Sequence, residues 1–456
     1  MSKIFFTVIA VMSGLCCSAQ HPIIQTKFTA DPAPLVYHDT VFLYTGHDED
    51  DAFGFNMKDW LLYTSTDMVN WTDHGAVASL KNFKWITNDN GAWAPHCIER
   101  AGKFYLYCPV PDDKGIGVLV ADSPYGPFKD PLGKPLIKNS REDIDPTVLI
   151  DDDGQAYLYW GNPNLYYVKL NEDMISYSGV IIKDSSFAKI KGQADPFHYQ
   201  EGPWAYKRNG HYYMAYASTC CPEGIGYAMS DSPTGPWVYK GSIMDGDKRS
   251  NGNHPGIIEY KGQSYVFGLN YEMLKQTMLK HYERRSVGLE KLTYNPDGTI
   301  QQLAFWSAEV KPISTLDPYK KTQAETMAFS EGVKTEMATE WERNISWNKG
   351  KKIADRLYVT SINNGDYIKV RAVDFSTGPS AVEVNVAALY GGTIEIHSDK
   401  IDGPVIATVE VKTSGEGDNW KTLTAPVKKI SGVHDLFFLF KGNKDLFYFD
   451  WWKFNK

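Results

Sequence analysis

The sequence predicts an all-β chain, a five-bladed β-propeller at residues 20–310 followed by a β-sandwich of jelly-roll type at residues 322–456. Three observations predict it. One strand–turn–strand grammar recurs in five segments before residue 310, and helical periodicity is nearly absent across that stretch. After a polar linker at 311–321, KPISTLDPYKK, strands resume with a different rhythm. A length of 456 residues also exceeds one ordinary core, so more than one domain is expected.

Residues 1–19, MSKIFFTVIAVMSGLCCSA, have the form of a signal peptide. Lys3 gives a positive start, an apolar stretch runs from Ile4 to Leu15, and Cys17, Ser18 and Ala19 make a small-residue cleavage site. Export to the periplasm or the exterior after cleavage near Ala19 is expected. A lipid anchor on Cys16 or Cys17 fits less well, because Leu15 or Cys16 stands where a small residue is preferred. The stretch is too short to span a bilayer, and no later segment reaches the ~20 apolar residues that spanning needs. Cleavage leaves Cys97, Cys108, Cys220 and Cys221. Cys97 and Cys108 flank a turn at Ala101-Gly102, and either a cross-strand bond or buried free thiols would suit them. There is no CxxC pair, HExxH run or GxSxG elbow, so neither a zinc site nor a serine nucleophile is indicated.

The repeated segments are DPAPLVYHDTVFLYTG (31–46), WAPHCIERAGKFYLYCPV (93–110), DPTVLIDDDGQAYLYWG (145–161), EGPWAYKRNGHYYMAYAS (201–218) and HPGIIEYKGQSYVFGLN (254–270). Their starts lie roughly 50–60 residues apart, a propeller-blade period. Apolar residues of both parities, such as Phe104 and Leu106 against Tyr105 and Tyr107, fit strands buried on both faces. STDMVNW (65–71), ADSPYGPF (121–128) and SDSPTGPW (230–237) read as one turn repeated before the outer strand, and four strands per blade are expected. The run Asp151-Asp152-Asp153-Gly154 lacks the spacing of a calcium loop and reads as a hairpin turn. Beyond the linker, DYIKVRAVDF, SAVEVNVAAL, GTIEIHS and VIATVEVK alternate with turns as a sandwich requires.

A net charge of −8 with short basic clusters excludes nucleic acid as an expected partner. Aromatic residues make up 14% of the chain. They serve a β-core, and flat rings also stack on the C–H faces of sugars, so an uncharged polysaccharide suits the balance.

The first strand of each propeller blade lines the axis, so residues at the blade openings converge at one mouth. Three of the five openings carry a carboxyl, Asp31, Asp145 and Glu201. Asp before Pro is common in turns, but three acids at matched positions point to chemistry. Glycoside hydrolysis needs one carboxylate to activate water and one carboxylic acid to protonate the leaving oxygen, and a third can orient them.

These residues carry a resemblance. TADPAPLVYHDTVFLYTGHDE (29–49), AWAPHCIERAGKFYLY (92–107), DIDPTVLIDDDGQAYLYWG (143–161), EGPWAYKRNGHYYMAYAS (201–218) and RRSVGLEKLTYNPDGTI (284–300) resemble glycoside hydrolase family 43, an inverting family built on a five-bladed propeller. The resemblance implies Asp31 as general base, Asp145 as pKa modulator and orienter, and Glu201 as general acid. It implies a sugar contact at Trp93 and an active-site arginine at Arg285, with Arg284 taken as structural. At His254 it implies a ligand of a calcium ion or water cluster in the tunnel; a histidine hydrogen-bonded to backbone is the alternative. The implied activity is release of terminal α-L-arabinofuranosyl or β-D-xylosyl residues from arabinoxylan-type plant cell-wall material. An internal arabinanase or xylanase, and a glycan-binding protein without catalysis, are the rivals. No cofactor is needed for that chemistry.

QAETMAFSEGVKTE (323–336), INNGDYIKVRAVDFSTG (362–378), GGTIEIHSD (391–399) and the end of the chain resemble carbohydrate-binding module family 6. This implies a structural calcium at Glu325 and Asp450, and sugar contacts from Trp420 and Asn443. Relatives carry a Tyr in a GYI stretch where this chain has Ser361-Ile362, so the second clamping ring is expected to be missing.

Overall fold

The computed structural model describes residues 21–50, 52–111, 115–188, 195–220, 222–246, 253–271, 273, 284–306, 310–337, 357–388, 390–413 and 419–456. The expected signal peptide, with Cys16 and Cys17, lies outside these, as does Cys221.

Strands with apolar side chains on both faces can only be stable between two neighbours, and the blades stack accordingly. Lys103–Val110 is buried from its second residue onward, and Gly224–Ser230 is buried throughout. The first blade comprises Thr29–Tyr37, Thr40–His47, Asp59–Ser65 and Trp71–Ser79, antiparallel and in sequence order. The third, Thr147–Ile150, Ala156–Trp160, Tyr166–Leu170 and Tyr177–Lys183, and the fourth, Tyr199–Arg208, His211–Ser218, Gly224–Ser230 and Val238–Met244, repeat that order.

The second and fifth blades correct the expectation of four strands everywhere. Among the described residues each has three: His96–Arg100, Lys103–Val110 and Gly115–Ala121 in the second, and Gly256–Tyr260, Gln263–Asn270 and Ser286–Leu292 in the fifth. Outside the second blade run Pro124, Pro127, Pro131 and Pro135, which lack the N–H a ladder needs, so isolated bridges Val120↔Lys129 and Ile116↔Ile137 stand in for a strand. In the fifth blade the N-terminal segment takes the outer place: Ile23 N–H donates to Val287 O at 3.0 Å and Thr29 N–H to Arg285 O at 3.2 Å. This joins the two ends of the propeller sequence and closes the ring.

The C-terminal sandwich has one sheet ordered Lys334–Met337, Leu357–Thr360, Tyr448–Asn455, Ala381–Ala387, Trp420–Pro426, with Thr322–Gln323 also on Tyr448–Asn455. The second sheet is ordered Phe329–Glu331, Tyr367–Asp374, Val433–Lys441, Gly392–Ser398, Val405–Val411. Alternate residues such as Val382, Val384, Ile394, Ile396, Phe438 and Phe440 fill the space between. The sandwich does not hang on a free tether. Thr326–Met327 adds a fifth strand to the first blade, and Asn70 exchanges hydrogen bonds with the backbone of Arg371 at 2.9 and 2.8 Å.

Cys97 and Cys108 are buried free thiols; Cys97 sits opposite Leu106 and Cys108 opposite Gly117, so the two do not face one another. Asp151–Gly154 forms the expected turn, with Gly154 N–H donating to Asp151 O at 2.9 Å.

Candidate active site

Every blade opens with a proline. Pro32, Pro95, Pro146, Pro203 and Pro255 ring a narrow axial cavity of about 20 Å³, enough for a water-sized particle. The residues before them are Asp31, Ala94, Asp145, Gly202 and His254. Glu201 is therefore one residue earlier than Asp31 and Asp145 in the common register, and shares its place with Trp93 rather than with the two aspartates. Asp31 and Asp145 adopt left-handed backbone with φ of 52° and 58°, a strained conformation that short polar side chains tolerate best. Gly202, in the matching place, has φ +59°. The strand register shifts between Ala30 and Ala33 and again between Glu201 and Trp204, and these bulges accompany the turn of the acids.

Above the proline ring a pocket of about 190 Å³ is lined by Asp31, Phe55, Trp93, Ile144, Asp145, Glu201, His254 and Arg285. That is small beside the ~300–1,000 Å³ of sites for drug-sized ligands. It brings together every propeller residue singled out in the sequence. The indole N–H of Trp93 is buried without a protein partner, so it is free to donate to a bound hydroxyl. Trp93 thus belongs to the pocket wall.

Charge in the pocket is densely paired. Arg285 Nη1 donates to Asp31 Oδ1 at 2.8 Å, while its Nε and Nη2 donate to Asp48 at 3.0 Å each. His254 lies among all three acids, with Nδ1 3.6 Å from Asp31 and Nε2 3.3 Å from Glu201 and 3.9 Å from Asp145. The Asn162 amide donates to the other oxygen of Glu201, and Gly202 N–H donates to Asp145 Oδ2 at 3.2 Å.

Proton affinities follow. Burial, together with the charges of Glu201 and Asp31, pushes Asp145 up to about 7 against the pull of His254. Burial also raises Asp31, against the opposing charges of Arg285 and His254. Glu201 is buried too, yet the hydrogen bond and charge of His254, aided by Arg285 and Asn162, bring it below its ordinary value. His254 resists the desolvation that would discharge it, because Asp31, Asp145 and Glu201 raise it to about 10.

Carboxyls gathered around a pocket fit for one sugar ring meet the requirement of glycosidic-bond cleavage, and the protein is a glycosidase. More narrowly, the chain belongs to glycosyl hydrolases family 43, whose family model matches residues 19–300, and carries a family 6 carbohydrate binding module at residues 323–456. An arabinoxylan arabinofuranohydrolase of Bacillus subtilis (strain 168) is 33% identical, over 96% of this chain and 92% of its own. One of Paenibacillus polymyxa is 32% identical, over 95% of this chain and 74% of its own. Among solved structures, a Bacillus subtilis family 43 arabinoxylan arabinofuranohydrolase in complex with cellotetraose superposes with a TM-score of 0.79 at 32% identity, covering 95% of this chain and 97% of that one. A β-xylosidase/α-arabinofuranosidase from a compost metagenome, with xylotriose and in a calcium-free form, gives 0.56 at 29% identity over 63% of this chain and 98% of its own.

Ligand atoms of Asp145, Glu201 and His254 lie within 4.8 Å of one another, a donor set that could hold a cation at the mouth of the tunnel. In the sandwich, Glu325 Oε2 is buried without a hydrogen-bond partner, and the carboxylates of Asp73 and Asp450 add to burial in raising its proton affinity. An orphaned carboxylate oxygen beside other carboxylates is a donor set calcium would satisfy, so Glu325 and Asp450 fit.

Trp420 lies in a ring cluster, 5.6 Å from Tyr358 and 6.4 Å from Tyr448 between centroids. Companion rings are therefore present, although not from the stretch at Ser361-Ile362. Asn443 sits in an exposed turn, where its carbonyl accepts from Asn364 N–H at 3.1 Å.

Asp48 and Asn162 were not singled out in the sequence. Asp48 stands in TGHDE, inside a stretch that carries the resemblance, and Asn162 directly follows another that ends at Gly161, but their partners lie 237 and 39 residues away. Closure of the ring brings Asp48 to Arg285, and stacking of the third blade on the fourth brings Asn162 to Glu201.

Proposed function

We propose that this enzyme releases terminal α-L-arabinofuranosyl residues from arabinoxylan with inversion at the anomeric carbon. The observation that carries it is the convergence of three acids of unequal exposure: side chains of Asp31 and Asp145 are 3% exposed, Glu201 is 20%. Glu201 is thus the carboxyl that a leaving-group oxygen can reach. The relatives that match nearly the whole chain are named for this activity.

In this mechanism Asp31, gripped by Arg285, takes a proton from the water that attacks the anomeric carbon. Glu201 gives its proton to the departing oxygen on the opposite face. Inverting enzymes hold base and acid ~6.5–9.5 Å apart to leave room for that water. Asp145 accepts from Gly202 N–H and so fixes the backbone beside Glu201. Its charge also opposes ionisation of Glu201, and a bound sugar removes the remaining water from that carboxyl and strengthens its hold on the proton. The pocket of about 190 Å³ suits one terminal ring better than a run of rings, which favours exo over internal cleavage.

Glu201→Ala is expected to lower turnover of arabinoxylan by about 10²–10⁴-fold, the usual worth of a general acid. An aryl arabinofuranoside with a good leaving group should lose far less. Proton NMR of the first-formed arabinose anomer tests inversion, and a retained anomer would overturn the mechanism. Residues 1–19 support export, which N-terminal sequencing of the mature protein checks.

A further inference from the structure

Arg284 and Arg285 are neighbours with different tasks. Arg285 holds Asp31. Arg284, fully buried, turns its Nη2 to the backbone carbonyls of Ala52 and, at 3.0 Å, Gly54. Both carbonyls belong to the loop between the second and third strands of the first blade. The loop is tied internally by Glu49 N–H to Asn56 O and Asn56 N–H to Gly54 O, each at 3.0 Å. Placing a guanidinium in the interior costs desolvation, and hydrogen bonds to a surface loop offset part of that cost. The buried guanidinium is thereby tied to that loop.

The loop displays two phenyl rings. Phe55 lines the catalytic pocket and lies 5.0 Å from the Arg285 guanidinium, yet it is 45% exposed; Phe53 is 82% exposed. Large exposed rings on a loop that lines a catalytic pocket offer an apolar surface to a ligand. Their flat faces match the C–H faces of neutral sugar rings. The acidic residues Glu49 and Asp50 on the same loop disfavour a polyanion.

We propose that this loop is the acceptor side of the site. Phe53 and Phe55 receive the polysaccharide main chain from which the terminal sugar projects, and Arg284 is the positioning residue that holds them in place. The proposal rests on the arabinoxylan reading above. The pocket between Trp93, Glu201 and Asp31 takes the departing sugar, and the loop decides which polymer can present it.

The test uses the full-length enzyme with Phe53→Ala and, separately, Arg284→Lys, which keeps the charge but loses the forked donor. KM for an arabinosylated xylo-oligosaccharide is compared with the inhibition constant of free L-arabinose, which probes the sugar pocket alone. Both variants should raise KM about tenfold, the scale of one lost apolar contact, with the arabinose constant unchanged within about twofold. An unchanged KM in Phe53→Ala overturns the proposal. So does a parallel rise in both constants, which would make the loop part of the sugar pocket or of general packing. Phe53→Ala alters an exposed side chain and keeps the test decisive if Arg284→Lys fails to fold. Failure of the substrate reading would show in the unaltered enzyme, as absent turnover of the oligosaccharide.

Discussion

Asp145 and Glu201 differ by one methylene and share one pocket, yet their surroundings push their proton affinities apart. Asp145 sits in a nearly dry position next to two other carboxyls and is raised to about 7, whereas His254 and Asn162 stabilise ionised Glu201. In the resting site the proton that catalysis needs is held on the Asp145 side. Because that affinity is raised, the proton is present below about pH 7 and lost as pH rises through it. The kcat/KM profile should therefore fall on the alkaline side with an apparent pKa near that value. Asp145→Asn removes the like charge that favours protonated Glu201, so the alkaline limb should move to lower pH. An alkaline limb unmoved by the substitution would show that Asp145 does not govern the acid. The acids themselves were legible in the sequence because each opens a repeat. The partners that tune them, Asp48, Asn162 and His254 as a cation, were not, since a charge contact between distant residues leaves no local pattern.

A blade opening is a short element with one strict demand, that the chain turn inward before entering the strand. The five prolines meet it by fixing φ, and the residue before each takes the axial place. Gly202 shows what this asks of side chains. A Cβ there would lie 2.8 Å from the His254 ring, and its φ is positive. Gly202→Ala should cost ~1–3 kcal/mol from backbone strain alone, and should also displace His254 and lower kcat. Gly210 also has positive φ, +82°, but open space around its Cβ position, so Gly210→Ala carries the strain without the collision. Melting curves and turnover of the two variants separate the effects; equal turnover in both would mean His254 need not stand where it does. The repeat made the openings recognisable, whereas the one-residue offset of Glu201 and Trp93 shows only when each opening is read from its proline.

At the scale of the whole molecule, the sandwich is built into the propeller rather than joined to it by a flexible tether. Asp73 in the first blade binds Lys27 at 2.7 Å and Thr335 of the sandwich at 2.6 Å, and its N–H donates to Glu325 O. Glu325 is followed by Thr326, which pairs with Thr72 of the same blade. A calcium ion satisfying Glu325 and Asp450 would thus stabilise the seam as well as the sandwich. Added calcium should raise the melting temperature, with ~2.7 kcal/mol of stabilisation at a hundredfold excess over its dissociation constant. A chelator should reverse this, and Glu325→Ala should abolish the response. A melting temperature indifferent to calcium in the unaltered protein would remove the ion from this place.

The sequence by itself determined the division into repeats and a second β-domain, and it marked Asp31, Asp145 and Glu201, because periodic burial and turn chemistry are written locally. Tertiary structure decided the rest. The outer edges of the second and fifth blades were settled by which segment had N–H groups to offer. The roles of Arg284 and Arg285, identical neighbours in the chain, were settled by what each meets in the fold, loop carbonyls for one and Asp31 and Asp48 for the other. Side-chain direction and the charges it encounters are properties of the closed ring, which is why they came into view only with it.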